Sequence, residues 1–502
     1  MSDLEVAESV LAIPMAYNSQ QTNSSKYEKR QVQYLYPTQN TPLDSGASSS
    51  LIYRFLVPSD MFLDTKESYI STEAFIYNGA GLNNQVPISS GDRCYFTPFT
   101  DCWIQRLTIL TATGIKIEEI IDANILAAIM RREMEPTYAN SVGTECMAMW
   151  SSQEIGNSAL NTGKLSLDTL EKQFYSTNPT ANKSNPNRFV IPLNFSGFLK
   201  GQINYLPLRA MSQGQSNSFQ IEIEFGRPAS TIIAYNTALG TAPTGNYNYV
   251  IQSCYYVMNL IKNDEKEAEI MEIIKTTPLI LSYQTHNHFS NTVNASGGVS
   301  QTTMSVTEYQ ESVSEIKFAF RNQARVNNIS VDTTQFANPN LIQSQLQLGN
   351  LYIPSQPTPV GKADNTGAIY VVENAEQFMN NTITNQKCGK FWRGFQARTT
   401  VASGSGYVSS YDYPDFVVYY NLRTYEDDAV GDPLYNQYTS GVNLRSNPVP
   451  LQFIFTSNFG LTNLGTAAYE VGSTAPTSYL IDSYTTFRSN LVIQRGENYV
   501  IS

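Results

Sequence analysis

Charge is what this chain has least of. Asp, Glu, Lys and Arg make up 15% of its 502 residues, against about 25% in an average soluble domain. The 43 acidic and 32 basic residues leave a net charge of −11. Residues 1 to 45 set Lys26, Lys29 and Arg30 against Asp3, Glu5, Glu8, Glu28 and Asp44, so no basic tail offsets this balance. Neutralising phosphates takes an excess of cations, so neither the chain nor its N-terminal arm suits electrostatic binding of nucleic acid or an anionic membrane. Long apolar runs are also missing. No stretch approaches the ~20 residues of a membrane span, and acids stand near the N-terminus where a secretory signal would carry bases. The five cysteines, Cys94, Cys102, Cys146, Cys254 and Cys388, are odd in number and scattered, which argues against a disulfide framework. They are expected to be reduced core residues in a soluble protein made in a reducing compartment.

Histidine is the scarcest titratable residue, and its scarcity narrows the chemistry. His286 and His288 are the only two. Two apart on an extended segment, they face the same way and have a spacing that suits metal ligation. No Cys or carboxylate stands nearby in sequence to complete a ligand set, and Thr285, Asn287 and Asn291 give the segment a loop-edge character. A Ser-His-acid triad would need one of them as base, and no nucleophile-elbow glycine pattern accompanies them.

Acidic pairs at Glu118 with Glu119, Asp264 with Glu265, and Asp427 with Asp428 have the residue types of glycosidase carboxylates. The first two read as helix starts, where acids complement the backbone dipole, and the third as a polar loop. Asp427, Asp428 and Asp432 lack the spacing of an EF-hand. Gly404 and Gly406 begin a dinucleotide-type glycine pattern, but Ser409 stands where its third glycine belongs. Asn-x-Ser/Thr triplets such as Asn194 to Ser196 are what chance supplies in an Asn-rich chain. No residue is therefore assigned a catalytic, cofactor-binding or metal-binding role, and the chain is read as a non-enzyme.

What is abundant points to strands. Hydrophobic residues make up 41% and aromatics 12%, with 32 Tyr and 23 Phe, while Asn, Gln, Ser and Thr carry the polarity. This composition predicts an all-β protein with long ordered loops, and the length predicts two or three domains. The stretch from Tyr247 to Leu281, at the midpoint, favours two. Tyr249, Ile251, Tyr255 and Val257 alternate with Val250, Cys254, Tyr256, Met258 and Leu260, so this strand is apolar on both faces. Asp264 with Glu267 has capping-box spacing ahead of Ala268, Ile270, Met271 and Ile274. The helix this predicts ends at Thr276, Thr277 and Pro278, and a new strand starts at Leu279.

In the first half, strands are expected at Leu51 to Pro58, Cys94 to Phe99, Trp103 to Thr111, Phe189 to Phe195, Gln202 to Leu208 and Phe219 to Phe225. A helix is expected at Glu118 to Met134, with a short one near Ser166 to Phe174. In the second half, Val313 to Arg321 matches Leu107 to Thr111 in pattern. Phe416 to Leu422 (FVVYYNL) matches Phe189 to Phe195 (FVIPLNF), Pro450 to Phe455 matches Phe219 to Phe225, and Tyr484 to Ile501 matches Tyr247 to Leu260. Four segments in the same order suggest a duplication. Residues 135 to 187, 323 to 386 and 424 to 446 read as long loops of the kind that form contact surfaces.

Two tandem β domains, the helix Asp264 to Lys275 between them, the helix Glu118 to Met134 after an early strand pair, and runs such as SFQIEIEF and NPVPLQFIF resemble the double jelly-roll major capsid proteins of DNA viruses. The tone is similar to those of virophages and polinton-like viruses, with giant icosahedral DNA viruses more distant. The resemblance covers residues 50 to 502. It implies an N-terminal arm at 1–48, one eight-stranded jelly roll at 49–262, a connecting helix at 263–276 and a second roll at 277–502.

The resemblance further implies three copies forming a pseudo-hexameric capsomer that tiles an icosahedral shell around double-stranded DNA, assembled inside a host cell and resident in the virion. Neighbouring capsomers, penton and minor capsid proteins are its implied partners, and a membrane beneath the shell is left open. The weakly acidic arm departs from capsid proteins that reach a genome with basic arms. Its short apolar pattern from Leu4 to Leu11 suggests docking beneath the shell instead. The alternatives that composition leaves open are a viral fibre or lectin-like glycan-binding sandwich and a β-sandwich glycosidase.

Overall fold

A computed structural model of the chain describes residues 29–86, 92–133, 187–236, 243–359, 417–422, 441–445, 451–459 and 477–501, apart from short gaps inside these spans. The first half supplies eight principal strands: β1 (Lys29–Leu35), β2 (Ile52–Pro58), β3 (Phe62–Asn78), β4 (Ile104–Thr111), β5 (Lys116–Ile121), β6 (Asn187–Ile191), β7 (Asn217–Phe225) and β8 (Tyr247–Lys262). The second half supplies β9 (Leu279–Asn294), β10 (Val299–Val306), β11 (Val313–Asn322), β12 (Leu341–Leu348), β13 (Leu351–Pro359), β14 (Val417–Asn421), β15 (Leu451–Asn458), β16 (Ser478–Gln494) and a short β17 (Glu497–Ile501).

In the first half these form two antiparallel sheets, ordered β1-β8-β3-β6 and β2-β7-β4-β5; in the second half the orders are β9-β16-β11-β14 and β10-β15-β12-β13. Adding eight to each strand of one half gives its counterpart in the other. Each half is a jelly roll, two four-stranded sheets in which non-consecutive strands pair across the sandwich.

Alternation explains why these runs form sheets. In β7, Phe219, Ile221, Ile223 and Phe225 are buried while Gln220, Glu222 and Glu224 are half-buried. Across that wetter face Arg54 meets Glu222 at 2.6 Å and Arg106 meets Glu224 at 2.9 Å. In the second roll, Phe453 stacks on Phe318 with ring centroids 3.9 Å apart, and Phe455 meets Phe320 edge-on at 5.5 Å. The rolls are joined by a helix, Asp264–Ile273. Its N-cap is Asn263, whose side chain accepts from the Lys266 amide at 3.0 Å, one residue ahead of the expected Asp264.

Five expectations need correction. The run expected as one helix from Glu118 begins as a strand. Ile117 and Ile120 turn inward along β5, Asp122 takes a left-handed φ of 49°, and only then does helix α1 (Ala123–Glu133) start. The 17-residue β3 was expected as no strand at all. Its inward residues Ile70, Thr72, Ala74 and Ile76 are clear, but Asp64 to Glu67 break the pattern at its start.

Residues 323 to 386, expected as loop, contain β12 and β13. Val313 to Arg321 is the counterpart of that unforeseen β3 and not of Leu107 to Thr111, whose counterpart is β12; the other three matches hold. Of the expected arm, residues 1 to 28 lie outside the described residues, whereas β1 pairs with β8 over seven positions, Lys29 with Lys262 through Leu35 with Tyr256. The short helix near 166–174 also lies outside them.

Candidate functional site: the seam between the rolls

The two rolls share one core. Leu279, Leu281, Tyr283, Ala319, Tyr484, Leu491 and Ile493 of the second roll belong to the same continuous buried cluster as Ile117, Leu126 and Phe198 of the first. Tyr283 is driven there by its ring, which meets Phe198 edge-on at 5.3 Å, and its hydroxyl is satisfied by donating to the Ile117 carbonyl. Tyr484 is fully buried, and its hydroxyl donates to the Asp122 carbonyl at 2.8 Å. Near the far end of the seam, Asn498 of β17 donates to the Met211 carbonyl at 2.8 Å and accepts from Gln213 at 3.0 Å.

A short helix of the first roll, α2 (Gly197–Lys200), is pressed against β9. A Cβ at Gly197 would lie 1.3 Å from the Gln284 carbonyl oxygen, so only glycine fits. Glu118 organises this contact. Its carboxylate accepts from the Gly197 amide at 3.0 Å, the Phe198 amide at 3.4 Å and the Ser196 hydroxyl. Full burial pushes its pKa up to about 7, against the pull of those hydrogen bonds. At the other end of α2, Lys200 donates to the carbonyls of Thr65, Lys66 and Ser68 at 2.6 to 2.9 Å, and burial brings its pKa down to about 8.

Four charged or titratable groups meet at the seam. Asp482, fully buried on β16, accepts from Arg321 Nε at 2.6 Å on one oxygen and faces His288 Nε2 at 3.0 Å with the other. The other ring nitrogen of His288, Nδ1, lies 3.3 Å from Asp122 Oδ2 of the first roll. Burial raises the Asp482 carboxyl, but Arg321 and His288 outweigh it and hold it below the usual carboxylate range. For Asp122 burial wins over His288 and the pKa is raised. A neutral imidazole can donate to only one of these carboxylates, whereas an imidazolium donates to both. The Tyr484 ring lies 4.8 Å from the imidazole and covers it.

The histidines thus sit inside a strand and not at a loop edge, and each has its own partner. His286 is buried with Nδ1 2.9 Å from the Thr486 hydroxyl, and burial, helped by the nearby Lys317 charge, lowers its pKa to about 3. His288 does gain acidic neighbours, and one ligating atom from each of Asp122, His288 and Asp482 lies within 4.8 Å of the others. The two carboxylates face opposite nitrogens of the ring, however, and Arg321 already supplies a cation to Asp482. The set is built as an ion network across the seam.

Of the acidic pairs, Glu118 is buried at α2 while Glu119 points outward to Lys116; Asp264 and Glu265 are exposed at the helix start. Asp427, Asp428, Asp432, Gly404, Gly406 and Ser409 lie outside the described residues. Cys94, Cys102 and Cys254 are buried and outside any disulfide. Met61, Phe62, Arg209, Glu267 and Ile270 line a shallow surface groove where the connecting helix docks, with no enclosed space for a small molecule.

The strand orders, the joining helix and the shared core can be set beside solved structures. A chain of the Sputnik virophage cryo-EM structure aligns with a TM-score of 0.56 at 12% identity, covering 94% of this chain and 88% of that one. The Faustovirus major capsid protein aligns at 0.51 and 10% identity, covering 98% of both chains. The chain has the double jelly-roll fold of viral major capsid proteins. VP54 of PBCV-1, fitted into a reconstruction of the virophage Sputnik, aligns at 0.51 and 10% identity over 96% of this chain and 99% of that one. No protein-family model and no curated protein sequence matches, so the double jelly roll is visible in strand order where sequence similarity has gone. Among the described residues no helix is long and apolar enough to cross a membrane.

Proposed function

We propose that this chain is a major capsid protein, three copies of which close into a ring of six rolls and tile an icosahedral shell around double-stranded DNA. The observation that carries this reading is the duplication itself: two rolls of one strand order, fixed to each other through a continuous core and a buried ion network. A rigid pair of like modules, repeated three times, gives an object of nearly sixfold outline, the shape that fills a hexagonal lattice. Its role is structural and not catalytic, and its partners are copies of itself, neighbouring capsomers, penton and minor capsid proteins. Residues 1–48 serve as arm and first edge strand, 49–262 and 277–502 as the rolls, and 263–276 as the connector.

Light scattering on a size-exclusion column tests this reading. A particle of three times the 55.9 kDa chain mass that survives dilution, with a hexagonal outline by electron microscopy, is expected. A stable monomer that binds a glycan array would replace it with the fibre or lectin reading. Residues 2–28 lock capsomers together beneath the shell, so their deletion leaves the trimer intact and blocks shell closure. The deletion stops short of Lys29 because β1 begins there.

A further inference from the structure

β17 has no counterpart among the eight principal strands of the first roll. It pairs with the end of β16, from Asn490 with Ile501 to Gln494 with Glu497. In the first roll the same place is filled by the opening of β3, where Phe62 to Asp64 pair with Ile261 to Asn259 of β8. β11 starts too late to reach it, its first pair being Val313 with Phe487. Little of β17 is buried. Glu497, Tyr499 and Ile501 are exposed and Val500 is half-buried against the shared core, which leaves Asn498 as its one buried side chain.

Asn498 reaches the end of a short first-roll helix, α3 (Leu208–Ser212). Five residues are too few for a helix that stands alone, and its last carbonyls have no partner within it. Their partners come from outside. The Met211 carbonyl accepts from Asn498 Nδ2 at 2.8 Å, and the Ala210 carbonyl accepts from Gln213 Nε2 at 3.1 Å. Gln213 Nε2 also donates to Asn498 Oδ1 at 3.0 Å. The backbone of Gln213 is left-handed, at φ 51° and ψ 35°, a position that glycine usually takes at a helix end. Gly214 stands one residue too late for it, so Gln213 holds a strained conformation that its side-chain bonds sustain. α3 in turn holds the connecting helix: Arg209 Nη1 lies 3.4 Å from Oε1 of the buried Glu267, and Ala210 lines the same groove as Ile270 and Met271.

We propose that Asn498 and Gln213 form a clasp with two states. Closed, it ties β17, α3 and the connecting helix into one unit at the far end of the seam. Open, Gln213 leaves the left-handed region, the end of α3 unwinds and Arg209 lets go of Glu267, while the two rolls stay folded. The strain at Gln213 favours opening and the Asn498 bonds favour closing, so β17 sets how firmly the connecting helix is held.

Native-state hydrogen exchange on the full-length protein, read by mass spectrometry, tests the clasp. In wild type, peptides covering 208–215 and 264–275 are expected to exchange together, roughly 100-fold faster than those of β12 and β15 in the second roll's own core. Their exchange should depend little on sub-denaturing guanidinium, because so small an opening exposes little surface. Asn498→Leu keeps the size of the side chain, removes both bonds and should speed both segments about tenfold. Gln213→Ala keeps the strained backbone without the clasp and should do the same, whereas Gln213→Gly relieves the strain and should speed them less. Segments that open only with global unfolding, that Asn498→Leu and Gln213→Ala leave unchanged, or that respond one without the other would overturn the clasp. A Gly variant that exchanges as fast as the Ala variant would overturn the strain that drives it.

Discussion

The two rolls share a strand order and differ in what their first sheets present on the outer face. On the second roll that face is covered by a neighbour in the same chain, and it carries the buried charges Asp482, Arg321 and Lys317 with the His288 ring beside them. On the first roll, among the described residues, it buries a small separate cluster, Phe75, Tyr77 and Val250, and leaves Tyr34 exposed, with the ion pairs Arg30 to Glu67 at 3.7 Å and Arg188 to Glu73 at 3.8 Å largely in solvent. A joint made within one chain closes as the protein folds, so its charges can be matched once and kept, whereas a face in contact with water suits Tyr, whose ring packs on its neighbours while its hydroxyl stays hydrated.

The sharpest way to break the comparison is to pry the covered joint apart. Gly197→Val places side-chain atoms inside the Gln284 carbonyl; it is expected to destabilise the fold by more than ~4 kcal/mol in denaturant unfolding, an unusually large effect for one residue. An unfolding midpoint close to wild type would show that the rolls do not meet there. Next comes the ion network. Asp482→Ala strands Arg321 in the interior and should cost about 3–5 kcal/mol. Replacing both, Asp482→Leu with Arg321→Met, should recover most of that, and a double-mutant cycle reads the coupling. By contrast Glu73→Ala on the first roll's face should cost less than about 1 kcal/mol, measured on the monomer.

The covered face should also answer to pH in two opposite ways. Glu118 has a folded-state pKa of about 7, above the ordinary 4.5. Its contribution is therefore full below about pH 4.5 and is lost as pH rises through 7. His286 is depressed to about 3 from 6.5, so its contribution is full above pH 6.5 and is lost as pH falls toward 3. Glu118→Gln should flatten the alkaline side of the stability profile by at most roughly 3 kcal/mol and His286→Gln the acid side by at most roughly 5 kcal/mol. Profiles that keep their shape in both variants would place these groups in solvent.

Strands with regular alternation were legible from the sequence: β7, β8, β14 and β15 fall close to where their aromatic and aliphatic runs predict them. β3 was not, because its polar opening, Asp64 to Glu67, looks like a turn until β8 is known to pair along the strand. That omission also misplaced one of the four repeat matches. The seam was harder still. Asp122 and Tyr484 are 362 residues apart, and Arg321 and Asp482 are 161 apart. No local pattern links them. One signal was present: Asp482 within SYLIDSYTTF is a lone charge in an apolar strand, as Arg321 within FAFRN is in another, and burial tolerates such charges only in pairs. The histidines drew attention for their spacing, whereas their partners are set by sheet register, which spacing does not report.

The hydrogen bond from Asn498 to the Met211 carbonyl spans 287 residues. At roughly 5–20 residues per second, a ribosome that has finished the first roll needs on the order of a quarter of a minute to a minute before β17 emerges. Throughout that interval the apolar residues of β5 and α2 that the second roll will cover face water. The nascent first roll is thus half a core with a sticky side, and the rate at which the second half is translated sets how long that side must be kept from its neighbours.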